Sequence, residues 1–133
     1  MLDNFLVPEM VTRTNGAGPE IELGASSGTQ LLLTLGITRI IEQESLDVEV
    51  WGSADQSNWG DKPILRFPQK FYCGTYSQML DLAKHPDVRY LRVNYKLNRW
   101  GRGDSMPLFG FYVFAEEASR ASMSSSVLQA AVA

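Results

Sequence analysis

The sequence predicts an all-β fold: an antiparallel β-sandwich of jelly-roll or discoidin-like type with extended terminal arms. Three observations carry that prediction. Apolar residues recur with a period of two in several segments, as in half-buried strands. Clusters of Gly, Pro, Asn and Asp punctuate the chain at intervals of roughly ten residues. Almost no stretch keeps the helical period of an amphipathic helix.

Residues 1–28 read as an N-terminal arm. Its apolar residues suit a short strand or an adhesive segment, with Phe5, Leu6 and Val7 as candidate assembly contacts. "NGAGPE" (15–20) is a turn, "IEL" (21–23) a candidate edge strand and "GASSG" (24–28) a loop. The sandwich domain then spans 29–117, its edge strand starting from 21 if "IEL" belongs to it.

"TQLLLTLGI" (29–37), extended by "TRII" (38–41), is the first long strand, and "EQES" (42–45) connects it to the next. "LDVEVWGS" (46–53) alternates cleanly, placing Leu46, Val48 and Val50 on one face and Asp47, Glu49 and Trp51 on the other. "PILRF" (63–67) is a short strand opened by a proline, a position sheets tolerate. "KFYCGTYSQML" (70–80) holds one strand near 70–73 and a second near 75–80, while "QMLDLAKHP" (78–86) fits either a helical turn or a strand ended by Pro86. "VRYLRVNYKL" (88–97) sets Leu91, Val93, Tyr95 and Leu97 against Tyr90, Arg92, Asn94 and Lys96. "LFGFYVFAEE" (108–117) is apolar on both faces and therefore calls for cover on both. The Ser/Ala-rich tail, 118–133, has too little apolar surface for a core of its own. Val127 and Leu128 are its candidate assembly contacts.

The bulk numbers exclude several classes. At 133 residues the chain suffices for one cored domain, and 44% hydrophobic with 20% charged residues is ordinary globular composition. A net charge of −3 gives no basic face for nucleic acid. No apolar run approaches the roughly 20 residues of a membrane span. The N-terminus lacks a basic region and is interrupted by Pro8 and Glu9, so no signal peptide is expected. Cytoplasmic synthesis follows as the expectation, with incorporation into a virion or another assembly. A single cysteine, Cys73, cannot form an internal disulfide and is expected to be buried as a small apolar residue.

The order of motifs resembles a known pattern. "LLLTLGIT", then "LDVEVWGSADQSNW", then a Phe-bearing strand, "VRYLRVNYKL" and "PLFGFYVF" are similar to a diffuse family of small, mostly uncharacterised β-sandwich proteins of bacteriophages and bacteria. Phage members of that family are regarded as virion or tail components. The middle motif also resembles the discoidin sandwiches, many of which bind sugars or lipid headgroups. Gln56 stands where both patterns place Gly, and the discoidin cysteine pair is absent. Neither resemblance supplies a catalytic residue.

The chemistry-bearing residues are few. Trp59, after the polar turn, is expected to anchor the fold. Trp51 is assigned to the outer face, where it meets a partner or lies under the N-terminal arm. Trp100 sits in the loop "NRWGRGDSMP" (98–107) between Arg99 and Arg102. Trp51, Trp100, Arg99, Arg102, Tyr90 and Arg92 are the candidate interface or ligand contacts. The basic residues also fit a solvated strand face paired with the acids of "LDVEV". "GRGDS" (101–105) matches an adhesion pentapeptide but reads as a Gly-rich turn. One His and one Cys make no zinc cluster. Asp47 with Glu49, or Asp55 with Asp61, lacks the closely spaced oxygens of a calcium loop. No catalytic set, metal or cofactor is expected. The expectation is a non-enzymatic structural subunit, a homo-oligomer or part of a larger assembly, joined through its arms. The alternative is a carbohydrate- or lipid-headgroup-binding module.

Overall fold

A computed structural model describes residues 3–41, 43–100 and 106–118. Within them the chain forms nine strands: β1 (Asp3–Thr12), β2 (Gly16–Ala17), β3 (Ile21–Glu22), β4 (Gln30–Ile40), β5 (Glu44–Ser53), β6 (Leu65–Arg66), β7 (Gly74–Asp81), β8 (Tyr90–Arg99) and β9 (Phe109–Glu117). They make two antiparallel sheets. One runs β1-β9-β4-β7 and the other β2-β8-β5-β6, with β3 also on β8. Counting β2 and β3 as one broken strand, the path crosses between sheets at every connection but β5 to β6. That winding is the jelly roll.

The alternating segments bury the faces their parity assigns. Leu46, Val48 and Val50 of β5 are fully buried, as are Leu91 and Val93 of β8. From the facing sheet come Leu31, Leu33 and Leu35 of β4 and Phe109, Phe111 and Val113 of β9, all fully buried. Tyr95 meets Phe111 edge-on across the core, ring centroids 5.2 Å apart. Each such side chain contributes about 1.5–3 kcal/mol by leaving water.

The N-terminal segment departs from expectation. It is not an arm: β1 pairs along the whole of β9, from Asp3 opposite Glu116 to Thr12 opposite Phe109. Leu6 and Val7 are buried in this chain's own core. Register shifts between Phe5 and Val7 and between Val7 and Met10 let two consecutive residues turn inward. Pro8 is tolerated because β1 is an edge strand. Of the three candidate contacts here, only Phe5 remains on the outside, 42% exposed. Of the 118–133 tail only Ala118 is described, and Val127 and Leu128 lie outside the described residues.

Other elements resolve open alternatives. Residues 78–86 are both things at once: β7 runs to Asp81, whose carboxylate accepts from the Ala83 amide (3.0 Å) and starts a short helical turn, Leu82–Lys84. The expected strand near 70–73 is reduced to one bridge, Lys70 to Leu46. Cys73 is exposed rather than buried, because it falls in that irregular connection.

On the outer face, Gly36 of β4 lies opposite Tyr112 of β9. A Cβ at Gly36 would meet the Tyr112 ring at 2.2 Å, so the tyrosine covers a spot that only glycine leaves open.

The register sorts the connections into two ends. Gln30 lies opposite Asp81 and Ser53 opposite Tyr90, which puts the β3–β4, β5–β6 and β7–β8 connections at one end. Glu44 lies opposite Arg99, which puts the β4–β5 and β8–β9 connections at the other. Glu44 is itself buried. Its carboxylate accepts from the amides of Ile41 and Leu108, each at 2.8 Å, and ties those two connections together.

Candidate functional site

The loop after β5 organises itself around Asp55. Its Oδ1 accepts from the Ser57 and Asn58 amides, each at 2.9 Å, and from the Ser53 hydroxyl at 3.1 Å. The Ser53 oxygen in turn accepts from the Asp55 and Gln56 amides. The backbone donors of Asn58 and Ser57, then the Ser53 hydroxyl, hold the Asp55 carboxyl below its ordinary value of 3.8. Gln56 has φ +67°, the left-handed conformation a glycine would adopt.

Trp59 closes this loop onto the sheet. Its indole N–H donates to the Gln56 carbonyl at 3.2 Å. The Arg92 guanidinium lies over its ring, 4.4 Å from the centroid. Arg92 also faces Glu20 at 3.5 Å, and Glu20 accepts from the Gln56 side chain at 3.0 Å. Trp59, Gln56, Glu20 and Arg92 thus form a closed ring of contacts that fixes the indole. Among the described residues the Arg92 Nε–H is buried with no acceptor.

Trp51 sits directly across from Arg92 on the neighbouring strand, with its indole N–H at 3.4 Å from a Glu49 oxygen. The outer face of this sheet therefore brings together Trp51, Tyr90 and Arg92, and adds Trp59. Asp47 lies opposite Lys96, while Glu49 pairs not with β8 but with Arg66 at 2.7 Å.

Trp100 belongs elsewhere. It lies at the opposite end of the sandwich, about 27 Å from Trp51 counting eight strand residues at roughly 3.4 Å each. There its amide donates to the Gln43 carbonyl, and its ring meets Phe71 edge-on at 6.1 Å. Tyr72, next to Phe71, and Met106, just before β9, are exposed at 72% and 43%. Arg99 ends β8 at this end, and Arg102 lies outside the described residues, as does the GRGDS loop.

Two concavities open on the described surface. The larger, about 600 Å³, opens at the end formed by the β5–β6 and β7–β8 connections, between Asn58, Trp59, Asp61, Lys62, His85 and Asp87. The smaller, about 390 Å³, lies on the outer face between Phe5, Glu9, Thr34, Tyr112 and Phe114. Phe5 packs edge-on against Phe114 (4.9 Å) and Tyr112 (5.9 Å). The apolar second face of 108–117 announced this groove in the sequence; nothing local announced the cleft, whose walls come from separate loops. Among the described residues no group of three His, Cys, Asp or Glu is arranged to hold a metal ion. Nor is any described helix long and apolar enough to cross a membrane.

The sequence matches no protein-family model and no curated protein. Among solved structures it is similar to the K3 cleaved adhesin domain of Lys-gingipain from Porphyromonas gingivalis W83, at 14% identity over 74% of this chain and 62% of that one, TM-score 0.42. It is also similar to the SPBc2 prophage-derived protein YomS, at 8% identity over 87% and 96%, TM-score 0.45. The K1 cleaved adhesin domain of the same gingipain gives 12% identity over 84% and 64%, TM-score 0.40. The chain spans less than two thirds of either adhesin domain.

Proposed function

We propose that this chain is a non-enzymatic structural subunit that associates with further copies of itself in a larger particle, filament or complex. One observation carries the reading: the outer apolar face of β9 is left as an open groove by its own fold, with Phe5 42% exposed at its rim. A water-exposed aromatic groove of this kind is the usual mark of a contact surface. The proposed occupant is the 118–133 segment of a neighbouring copy, with Val127 and Leu128 as its apolar contacts. That segment follows directly on β9, so the strand that carries the groove also carries the segment that fills it, and reciprocal exchange gives a symmetric pair. The exposed aromatics Phe71, Tyr72 and Trp100 offer a second surface at the far end.

The alternative, a carbohydrate- or lipid-headgroup-binding module built on Trp51, Trp100 and the arginines, is less favoured. Trp51 and Trp100 lie at separate places, and Arg92 is already engaged with Trp59 and Glu20.

Sedimentation equilibrium on three chains tests the assembly reading: full length, ended at residue 118, and Phe5→Ser. Full-length protein is expected to associate with rising concentration, and the other two to weaken markedly. A full-length chain that stays monomeric at the highest soluble concentration sinks the proposal.

A further inference from the structure

We infer that β7 is a second assembly edge, at which two copies of this chain pair antiparallel and join their four-stranded sheets into one. The inference rests on the proposed self-association and adds the contact that carries growth beyond a pair. β7 ends its sheet, with β4 as its one partner strand among the described residues. The register between them runs unbroken from Gln30 opposite Asp81 to Ile37 opposite Gly74. The ladder continues one step further, where the Leu82 amide donates to the Thr29 carbonyl. Antiparallel hydrogen bonds alternate along a strand, so Leu82, Leu80, Gln78 and Tyr76 turn their backbone groups toward β4. Thr75, Ser77 and Met79 turn theirs outward, to the free side.

The other sheet edges are blunted, and β7 is not. β1 carries two register shifts and Pro8. β2, β3 and β6 hold two residues each, and Pro68 follows closely on β6. Bulges, prolines, short length and charged side chains are the devices by which edges refuse another strand. From Gly74 to Leu80, β7 has no proline, no bulge and no charge. On its outer face Met79 is 49% exposed, an apolar side chain beside an open ladder.

Charge and symmetry choose a second copy as the occupant. An antiparallel pair of identical strands matches core-facing with core-facing residues only if one residue pairs with its own twin. The middle of β7 offers Ser77 or Gln78 for that place. About Ser77, Thr75 meets Met79 on the outer face and Tyr76 meets Gln78 on the inner one. About Gln78, Ser77 meets Met79 and Tyr76 meets Leu80. Asp81 is the sole charge of β7 and falls opposite Cys73 or Thr75, so no like charges oppose each other. Met79 gains a cross-strand neighbour in either register. A partner selected by charge finds nothing to read between Gly74 and Leu80. Pairing at β7 and exchange at the groove are each two-fold contacts, and two such contacts with separate axes link subunits in a row.

The test is sedimentation velocity of the full-length chain and its variants, with cysteine cross-linking to read the register. Ser77→Pro removes an outward amide and leaves the β4 ladder intact. Met79→Lys sets a charge on the edge. The parent is expected to form species larger than a dimer, and each of these variants to stop at the dimer. Phe5→Ser stops there too, and combined with Ser77→Pro it leaves monomers. In a Cys73→Ser background, which removes the exposed native thiol, Ser77→Cys or Gln78→Cys is expected to give a disulfide-linked dimer under mild oxidation. Opposed Cα atoms in such a ladder lie about 4.5–5.5 Å apart, within disulfide reach. Val11→Cys, exposed on the bulged edge β1, is the control that stays unlinked. The inference is overturned if the parent never passes the dimer, if both edge variants fold by circular dichroism and still pass it, or if neither cysteine links faster than the control. Should the edge variants unfold, the cross-linking alone decides. A failure at β7 leaves the groove-and-tail pair standing, whereas a failure at the groove shows as Phe5→Ser species no smaller than the parent's.

Discussion

Arg92 carries its guanidinium 4.4 Å above the ring of Trp59, joining the first residues of β8 to the loop that follows β5. The same arginine stands across the ladder from Trp51 and faces Glu20 from the β2–β3 connection. Three separate segments of the outer face therefore meet on one side chain.

Arg92→Ala is expected to destabilise the fold by about 1–2 kcal/mol, since a partly desolvated cation–π contact and the packing of the aliphatic stem are lost together. Arg92→Lys should recover only part of this, because an ammonium cannot stack as a plane. Urea unfolding of the three chains gives the comparison. An alanine variant as stable as the parent would mean the stack is a bystander.

The left-handed turn at Gln56 makes an opposite kind of prediction. A β-branched residue resists φ +67° more than glutamine does, so Gln56→Val should cost about 2 kcal/mol. Gln56→Gly gains backbone ease but loses the hydrogen bond to Glu20, and these nearly cancel, leaving stability within about 0.5 kcal/mol. Thermal melts of both variants decide it. Equal effects would show that the backbone conformation is not what the position selects.

Asp55 sets the pH dependence of this loop. Its folded-state carboxyl titrates below the ordinary 3.8, through the amides of Asn58 and Ser57 and the Ser53 hydroxyl. A depressed carboxyl contributes stability that is fully present above the unfolded value and is lost as the pH falls through the folded one. Asp55→Asn should therefore be less stable than the parent at neutral pH, with the gap closing on acidification below 3.8. Stability curves of both chains between neutral and acid pH test the sign. A gap that is constant or widens in acid contradicts the hydrogen-bond hub.

Much of the fold was legible because half-buried strands write their burial as alternation. β5 and β8 do so residue by residue, from Leu46 to Val50 and from Leu91 to Leu97. β1 did not, since its bulge turns Leu6 and Val7 inward together and Pro8 interrupts the pattern, so an edge strand read as an arm. Phe71, Tyr72 and Cys73 misled in the other direction. Their composition says core, but a single bridge at Lys70 leaves them in an exposed connection. Trp51 and Arg92 could be placed on one face by parity, whereas Trp59 joins them only through the turn geometry at Gln56. The cleft was invisible because Asp61 and His85 approach through loop closure, which no local period encodes.

Glu44 gives the last prediction and the largest. Its side chain is 1% exposed, yet it answers two backbone donors, Ile41 at one connection and Leu108 at the next. Glu44→Ala would leave both amides without an acceptor and open a void, costing about 3–4 kcal/mol. Glu44→Gln keeps the shape and one carbonyl oxygen but turns an NH₂ toward the second amide, so an intermediate loss of about 2 kcal/mol is expected. The two variants separate packing from acceptor chemistry: a purely steric role would leave the glutamine chain unharmed. Amide hydrogen exchange gives the local readout. In Glu44→Gln the Ile41 and Leu108 amides should exchange faster than in the parent, while the Val48 and Val93 amides change only as far as global stability falls.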